Sequence, residues 1–201
     1  MTILANTLSK RDVYYLLSAA VVPRPIALVT SVSSSGIVNA APFSFFNALS
    51  SDPPLVMLAI DRRRGELKDT TRNILSLKEF VVNIVSEAIA ERMNLCSADY
   101  PPEVSELEVA GFTQAPSELV RVPRIAESPV QLECRLDQHL EVGRAPNDLL
   151  IGEVLAFHID EAVMEEGRIS PHALHAVGRL SGSNYCRSTD VFRMERPKRT
   201  G

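Results

Sequence analysis

An antiparallel β-barrel with a few inserted helices is the fold class that this sequence predicts, and three observations predict it. Short β-branched runs recur along the 201 residues. Most are joined by turn residues rather than by helical crossovers. One run, VQLECRLDQHLEV at residues 130–142, alternates apolar with polar side chains. Its period predicts a dry face of Val130, Leu132, Cys134, Leu136, Leu140 and Val142, and a wet face of Gln131, Glu133, Arg135, Asp137, His139 and Glu141.

The other elements follow in chain order. Residues 12–19 read as a short amphipathic helix stopped by Pro23-Arg24-Pro25. Lys10-Arg11 before VYYLLSAAVV resembles a signal peptide only superficially, because Asp12 interrupts the charged-then-apolar order and no small-residue cleavage site precedes the prolines. Residues 26–32 form a strand, Ser33 to Gly36 a turn, and IVNAA a returning strand. Buried strands are expected at 55–60 and 80–85, and helices at 68–76 and 86–94, the second with Ser86 as N-cap. A further short helix precedes Gly111. Residues 149–160, after a Pro-Asn-Asp turn, should pair antiparallel with 130–142. Glu165-Glu166 beside Gly167 reads as a solubilised turn. The expected organisation is a helical lead-in at 1–22, one domain at 23–187 and a tail at 188–201. Arg193, Arg196, Lys198 and Arg199 would be a frayed basic end of that tail.

A chain of this length can bury about 70% of its unfolded surface in one core. Hydrophobic residues make up 45% and charged residues 23%, with a formal net charge of -4. That balance argues against nucleic acid as a partner, since phosphate backbones need a basic face. No apolar run is long enough for a bilayer-spanning helix. Cys96, Cys134 and Cys186 lie far apart and read as reduced, buried thiols of a cytoplasmic protein.

The chemistry concentrates in two stretches. NAAPFSFFNALSSDPP, residues 39–54, is too apolar for a surface loop and too rich in proline for a regular core element. Burying it leaves Ser44, Asn47, Ser50 and Ser51 needing polar partners, which a ligand slot would supply. DRRRGELKDTTRNI, residues 61–74, combines Arg62, Arg63, Arg64 and Lys68 with Thr70, Thr71 and a helix N-terminus, a donor set for an anion. It reads equally as a solvated loop before a helix capped by Asp69, with Arg72 on the outer face. No strand leads into a Gly-x-Gly-x-x-Gly or P-loop sequence, and no Gly-x-Ser-x-Gly elbow is present. His172 and His175 lack carboxylate or cysteine neighbours in a metal pattern, and His139 and His158 fall on wet or edge-like strand positions, so no metal site is expected.

The stretches PRPIALVTSVSSSGIVNAAPFSFFNALSSDPPLVMLAI, KDTTRNI, EFVVNIV and HALHAVGRLSGSNY together resemble the flavin reductase-like, or flavoredoxin-like, family, over residues 23–185. The resemblance implies an FMN-binding split β-barrel that works as a homodimer. It further implies hydride transfer from NADH or NADPH to the flavin, with electrons passing to a small-molecule acceptor or a flavin-using partner enzyme; a non-enzymatic FMN-binding electron carrier is the alternative. Thr30, Ser31, Asn39, Ser44, Phe46 and Asn47 would line the isoalloxazine slot. Arg62, Lys68, Thr70 and Thr71 would meet the phosphate, and Arg24 would either join them or brace its strand. The family's commoner form has two adjacent glycines where this chain has Ser181-Gly182, which leaves His175, Arg179 and Tyr185 without assigned roles. Hydride transfer needs no protein acid or base, so no catalytic proton donor is named.

Overall fold

The computed structural model describes residues 1–197. Seven strands, β1 (Ala27–Val32), β2 (Val38–Phe43), β3 (Phe46–Ser51), β4 (Pro54–Asp61), β5 (Glu79–Ile84), β6 (Val130–Val142) and β7 (Asn147–Ile159), form one sheet in the order β2-β1-β5-β6-β7-β4-β3. Every neighbouring pair is antiparallel. The two outermost strands, β2 and β3, are consecutive in the chain, with only Ser44 and Phe45 between them. In a flat sheet they would lie about 29 Å apart, six strand spacings, which two residues cannot span. The sheet therefore curls until its edges meet at that link, where Phe45 C=O accepts from Ala59 N–H at 2.8 Å. Val29, Phe43, Phe46, Leu58, Phe80, Leu132 and Leu150, one from each strand, fill the interior. Gly152 leaves room for Phe80: a Cβ built there would stand 2.3 Å from its Cζ.

Helices decorate this barrel. Helix α1 (Lys10–Ala20) starts two residues before the expected 12–19, because Ser9 accepts from Asp12 N–H as N-cap. Helix α2 (Asp69–Leu77) lies against β1. A 3-10 turn, Glu87–Ile89, leads into α3 (Ala90–Leu95), and α4 (Glu106–Val109) is the short helix expected before Gly111. Ser86 sits at the expected N-cap position, yet its side chain caps nothing. Met93, Leu107 and Phe112 pack with Ile26 and Leu28 in a second cluster outside the barrel. Helix α4 also protects the free edge of β2: Ser105 Oγ donates to Val38 C=O, and Glu106 accepts from Ala40 N–H at 3.3 Å. Among the described residues no helix is long and apolar enough to cross a membrane. Of the basic tail, Lys198 and Arg199 lie outside the described residues.

The alternation along β6 is real, but its two faces are not simply dry and wet. Gln131 and Glu133 are buried, while Leu140 and Val142, expected inside, are exposed. Loop 116–122 covers the first half of the polar face, and Glu133 is what fastens it there. The fully buried carboxylate accepts from the N–H groups of Glu118, Leu119 and Val120 at 2.8, 2.7 and 3.2 Å and lies 2.6 Å from His158 Nε2. His139, also expected on the wet face, is instead held 2.9 Å from the buried Asp148. The expected Pro-Asn-Asp turn is displaced too: the chain turns over 143–146, and Asn147 and Asp148 already belong to β7. Cys96 and Cys134 are buried, Cys186 is only half-buried, and all three are free thiols. Glu166 and Gly167 do form the expected turn, with φ of 49° and 74°, between the short strands Met164–Glu165 and Arg168–Ile169.

Burial opposes ionisation of Glu133, but the N–H donors and His158 outweigh it and hold the carboxyl below the usual glutamate range. A depressed folded-state pKa contributes stability that is complete above the unfolded value, about 4.3, and lost as pH falls through the folded value. Glu133→Gln should therefore lower stability by about 2 kcal/mol at neutral pH. In urea unfolding at a series of pH values, the gap between variant and parent should close only below the ordinary glutamate range.

Candidate functional site

The basic stretch folds into a tight turn and a helix start. Arg63 and Glu66 exchange backbone hydrogen bonds of 3.0 and 2.9 Å across Arg64 and Gly65, whose φ values of 51° and 87° a glycine-containing turn accommodates. The chain then reaches Lys68, the N-cap residue of α2, which offers no side-chain cap. The expected cap, Asp69, is instead the first helical residue and pairs with Arg72. The first-turn N–H groups are left without a side-chain acceptor at the wall of a cavity of about 490 Å³, lined by Arg63, Arg64, Lys68 and Thr70 on one side and by Ala41, Pro42 and Phe43 of β2 on another.

Four cationic side chains and four acidic ones line this cavity. Three of the cations are already paired: Arg63 with Asp99 at 2.9 Å, Lys68 with Asp61 at 2.6 Å, and Arg72 with Asp69. Such exposed pairs are worth about 0 to 1 kcal/mol, so an entering anion can displace them. Arg64 has no acidic partner among the described residues. The donor set and the uncapped helix suit a phosphate.

Next to this polar cavity lies a trough that is mainly apolar in its larger part and more polar in its smaller one. A recess of about 630 Å³ is bounded by Tyr14, Ser44, Phe45 and Lys68, and a smaller one of about 230 Å³ by Ile26, Met93, Arg179 and Tyr185. Both share Pro42 and Phe43 with the first cavity, so the three openings adjoin at these two residues. Tyr14 of α1 stacks on Phe45 with centroids 6.4 Å apart, and Lys68 Nζ lies 6.0 Å over the Phe43 ring. The sequence stretch too apolar for a loop thus splits its work. Phe46 fills the barrel, Phe43 packs in the barrel and also lines the trough, and Pro42, Ser44 and Phe45 face the trough.

Behind the cavity wall is a buried polar network. Asn39 Nδ2 donates to both oxygens of Glu106 at 2.9 Å, and its Oδ1 accepts from Thr70 Oγ1 at 2.8 Å and from Ser31 Oγ at 3.3 Å. Asn73 Nδ2 donates to Ser31 at 3.1 Å. Burial raises the pKa of Glu106, and the charge of Asp69 adds to the rise. The expected residues Ser31, Asn39 and Thr70 are therefore assembled at one place, with Lys68 and Ser44 on the neighbouring walls.

Other expected site residues stand elsewhere. Thr30, next to Ser31 on β1, projects from the opposite face and donates to Pro123 C=O at 2.7 Å. Arg62 is held by Asp148 through two bonds of 3.0 and 2.7 Å, with Glu141 at 2.6 Å, and does not line the cavity. Thr71 is fully buried, and its hydroxyl has no partner among the described residues. Phe46 is core, and Asn47 is exposed, its Oδ1 accepting from Ala48 N–H. Arg24 braces the fold: it donates to the carbonyls of Ser18, Val21 and Leu180 at 2.5, 2.8 and 2.8 Å and reaches Ser44 Oγ at 3.4 Å. Of the residues left without roles, Arg179 and Tyr185 line the small recess, with the guanidinium 4.5 Å over the Tyr185 ring. His175 does not line it; it adopts a left-handed conformation after Pro171–Leu174. Sequence reasoning missed Glu106 and Tyr14. The Ser-Glu-Leu-Glu spacing at 105–108 marks a helix start, but nothing local signals that Glu106 meets Asn39, 67 positions away.

Comparison with known proteins matches residues 19–181 to the model of the flavin reductase like domain. The nitrilotriacetate monooxygenase component B of Bacillus cereus is 39% identical, with a TM-score of 0.94 over 96% of this chain and 98% of that one. The 2-nitrobenzoate 2-nitroreductase NbaA of Pseudomonas fluorescens is 40% identical, with a TM-score of 0.90 over the whole of both chains. A Shewanella frigidimarina protein described as having a split barrel domain shares the fold with a TM-score of 0.85 at 24% identity, over 98% of this chain and all of that one.

Proposed function

The chain belongs to the flavin reductase-like family, and from that premise we propose that it is an FMN-dependent oxidoreductase that takes hydride from NADH or NADPH. One observation carries the reading: the uncapped N-terminus of α2, among Arg63, Arg64 and Lys68, opens into a cavity continuous with the apolar trough at 42–45. A phosphate at one end and a flat aromatic ring with a polar edge at the other match those two environments in order. FMN would supply the hydride-accepting chemistry.

The chain's own residues hold and shield. Lys68, now paired with the exposed Asp61, would hold the phosphate together with the first N–H groups of α2 and Arg64. Pro42, Phe43 and Phe45 would exclude water from one face of the ring, and Ser44, within reach of Arg24, would offer a polar contact. The smaller recess lined by Arg179 and Tyr185 leaves an opening for the nicotinamide. The terminal acceptor is a small molecule or a flavin-using partner enzyme, a reading supported by the 40% identical nitroreductase and the 39% identical monooxygenase component. Free thiols support a reducing, cytoplasmic setting.

The protein would act as a homodimer. Strand β3 is a sheet edge exposed from Asn47 to Ser51, and Leu49, Phe157, Leu140 and Val142 present apolar surface that a second copy would cover. Light scattering at micromolar concentration should give twice the chain mass. A monomeric mass with flavin bound would reject the dimer.

Calorimetry should show tighter binding of FMN than of riboflavin, and Lys68→Ala should weaken FMN about tenfold, one charge-assisted contact, while leaving riboflavin unchanged. Equal affinities for FMN and riboflavin would remove the phosphate site. Under anaerobic stopped flow, NADH or NADPH should bleach the bound flavin saturably. Bleaching by dithionite alone would make the protein an electron carrier.

A further inference from the structure

The carboxylate of Glu106 stands between the cavity at the α2 N-terminus and a neighbouring recess of about 410 Å³ that reaches Ser33, Ser35 and Asn73. It makes no ion pair among the described residues, and its one side-chain donor is Asn39 Nδ2, with Ala40 N–H donating from the backbone. An ionised carboxylate can only accept. It therefore fixes the Asn39 amide with nitrogen toward Glu106 and oxygen toward α2. That oxygen takes the one proton of the Thr70 hydroxyl, at 2.8 Å, so Thr70 has only lone pairs left for an anion in the cavity it lines.

We propose that Glu106 is a positioning residue for the phosphate end of the flavin, acting through the Asn39 amide to decide whether Thr70 donates inward or into the cavity. This rests on the flavin reading of the site. When Glu106 carries a proton, its hydroxyl donates to Asn39 Oδ1, and the amide turns over. Nδ2 then donates to Thr70 and Ser31, the Thr70 proton is released to a phosphate oxygen, and the Ser31 hydroxyl, which also accepts from Asn73, gives up its present acceptor, a cost the exchange carries. Burial raises the pKa of Glu106, which brings that protonated form closer to working pH. The charged and titratable groups around it are Asp69 and Arg72 of α2, Lys68 at its N-cap, Arg63, Arg64 and Glu66 of the turn, Asp99 and the Tyr100 hydroxyl, and the Cys96 thiol, itself pushed up to about 12 by burial and by Glu106. Removing the Glu106 charge also lessens repulsion of a phosphate, so Thr70 must separate the two effects.

The test titrates FMN and riboflavin, by flavin fluorescence, into the parent, Glu106→Gln, Thr70→Val and the double variant from about pH 5.5 to about 8.5. At the alkaline end Glu106→Gln should raise the ratio of FMN to riboflavin affinity about tenfold. Thr70→Val alone should change it little, and the double variant should lose the gain. As pH falls, the parent should approach Glu106→Gln, and this pH-dependent rise should vanish in Thr70→Val, a contrast that needs no change at Glu106. An unchanged ratio in Glu106→Gln, or an equal gain with and without the Thr70 hydroxyl, would overturn the proposal while leaving the flavin reading intact. Failure of both flavins to bind the parent would remove that reading and the proposal with it.

Discussion

The link Ser44–Phe45, joining the two edges of a seven-stranded sheet, is the constraint on which the rest of the structure depends. Because two residues cannot bridge a flat sheet, the strands curl and give Phe43 and Phe46 an interior to fill. The same closure leaves a seam. Pro42 and Phe43 still pair with Leu28 and Ala27, but Ser44 and Phe45 fall outside both strands and Phe45 C=O is tied to Ala59, so the link lines an opening beside the end of β2. Helix α4 closes the rest of the β2 edge, which places Glu106 against Asn39.

Energetics separate the cations that hold the fold from those that can hold a ligand. Arg62 satisfies a fully buried Asp148, and Arg24 donates to three main-chain carbonyls. Removing either partner would leave buried polar groups unpaired, at about 1 to 3 kcal/mol or more each. Lys68 and Arg63 hold exposed carboxylates, whose loss costs about 1 kcal/mol or less. A phosphate contact worth about 1.5 to 3 kcal/mol exceeds the second cost and not the first. Proximity along the sequence does not make the run of arginines one site.

Much of the barrel was legible because hairpin strands carry their own signals: the turn at Ser33 to Gly36 and the alternation of β6 are local, as is the turn at Glu166-Gly167 in the small sheet outside the barrel. Burial was less so. Glu133 looks solvated by period alone, and only loop 116–122, distant in sequence, makes it interior. At the site, the sequence pointed to Asn39, Ser44, Lys68 and Thr70, which share walls of the trough or stand just behind them. It did not separate Thr30 from Ser31, although strand alternation sends neighbouring side chains to opposite faces. Arg62 is one residue beyond β4, where it is drawn to Asp148 on the adjacent strand, a cross-strand contact that no local pattern encodes.

A crystal structure of the protein grown with FMN tests the central claim most directly. The phosphate should lie within hydrogen-bonding distance of Lys68 Nζ and the first N–H groups of α2, with the ring against Pro42 to Phe45 and the Lys68–Asp61 pair broken. A flavin seated elsewhere, such as the recess between Glu87 and Arg187, with Lys68 still on Asp61, would contradict it.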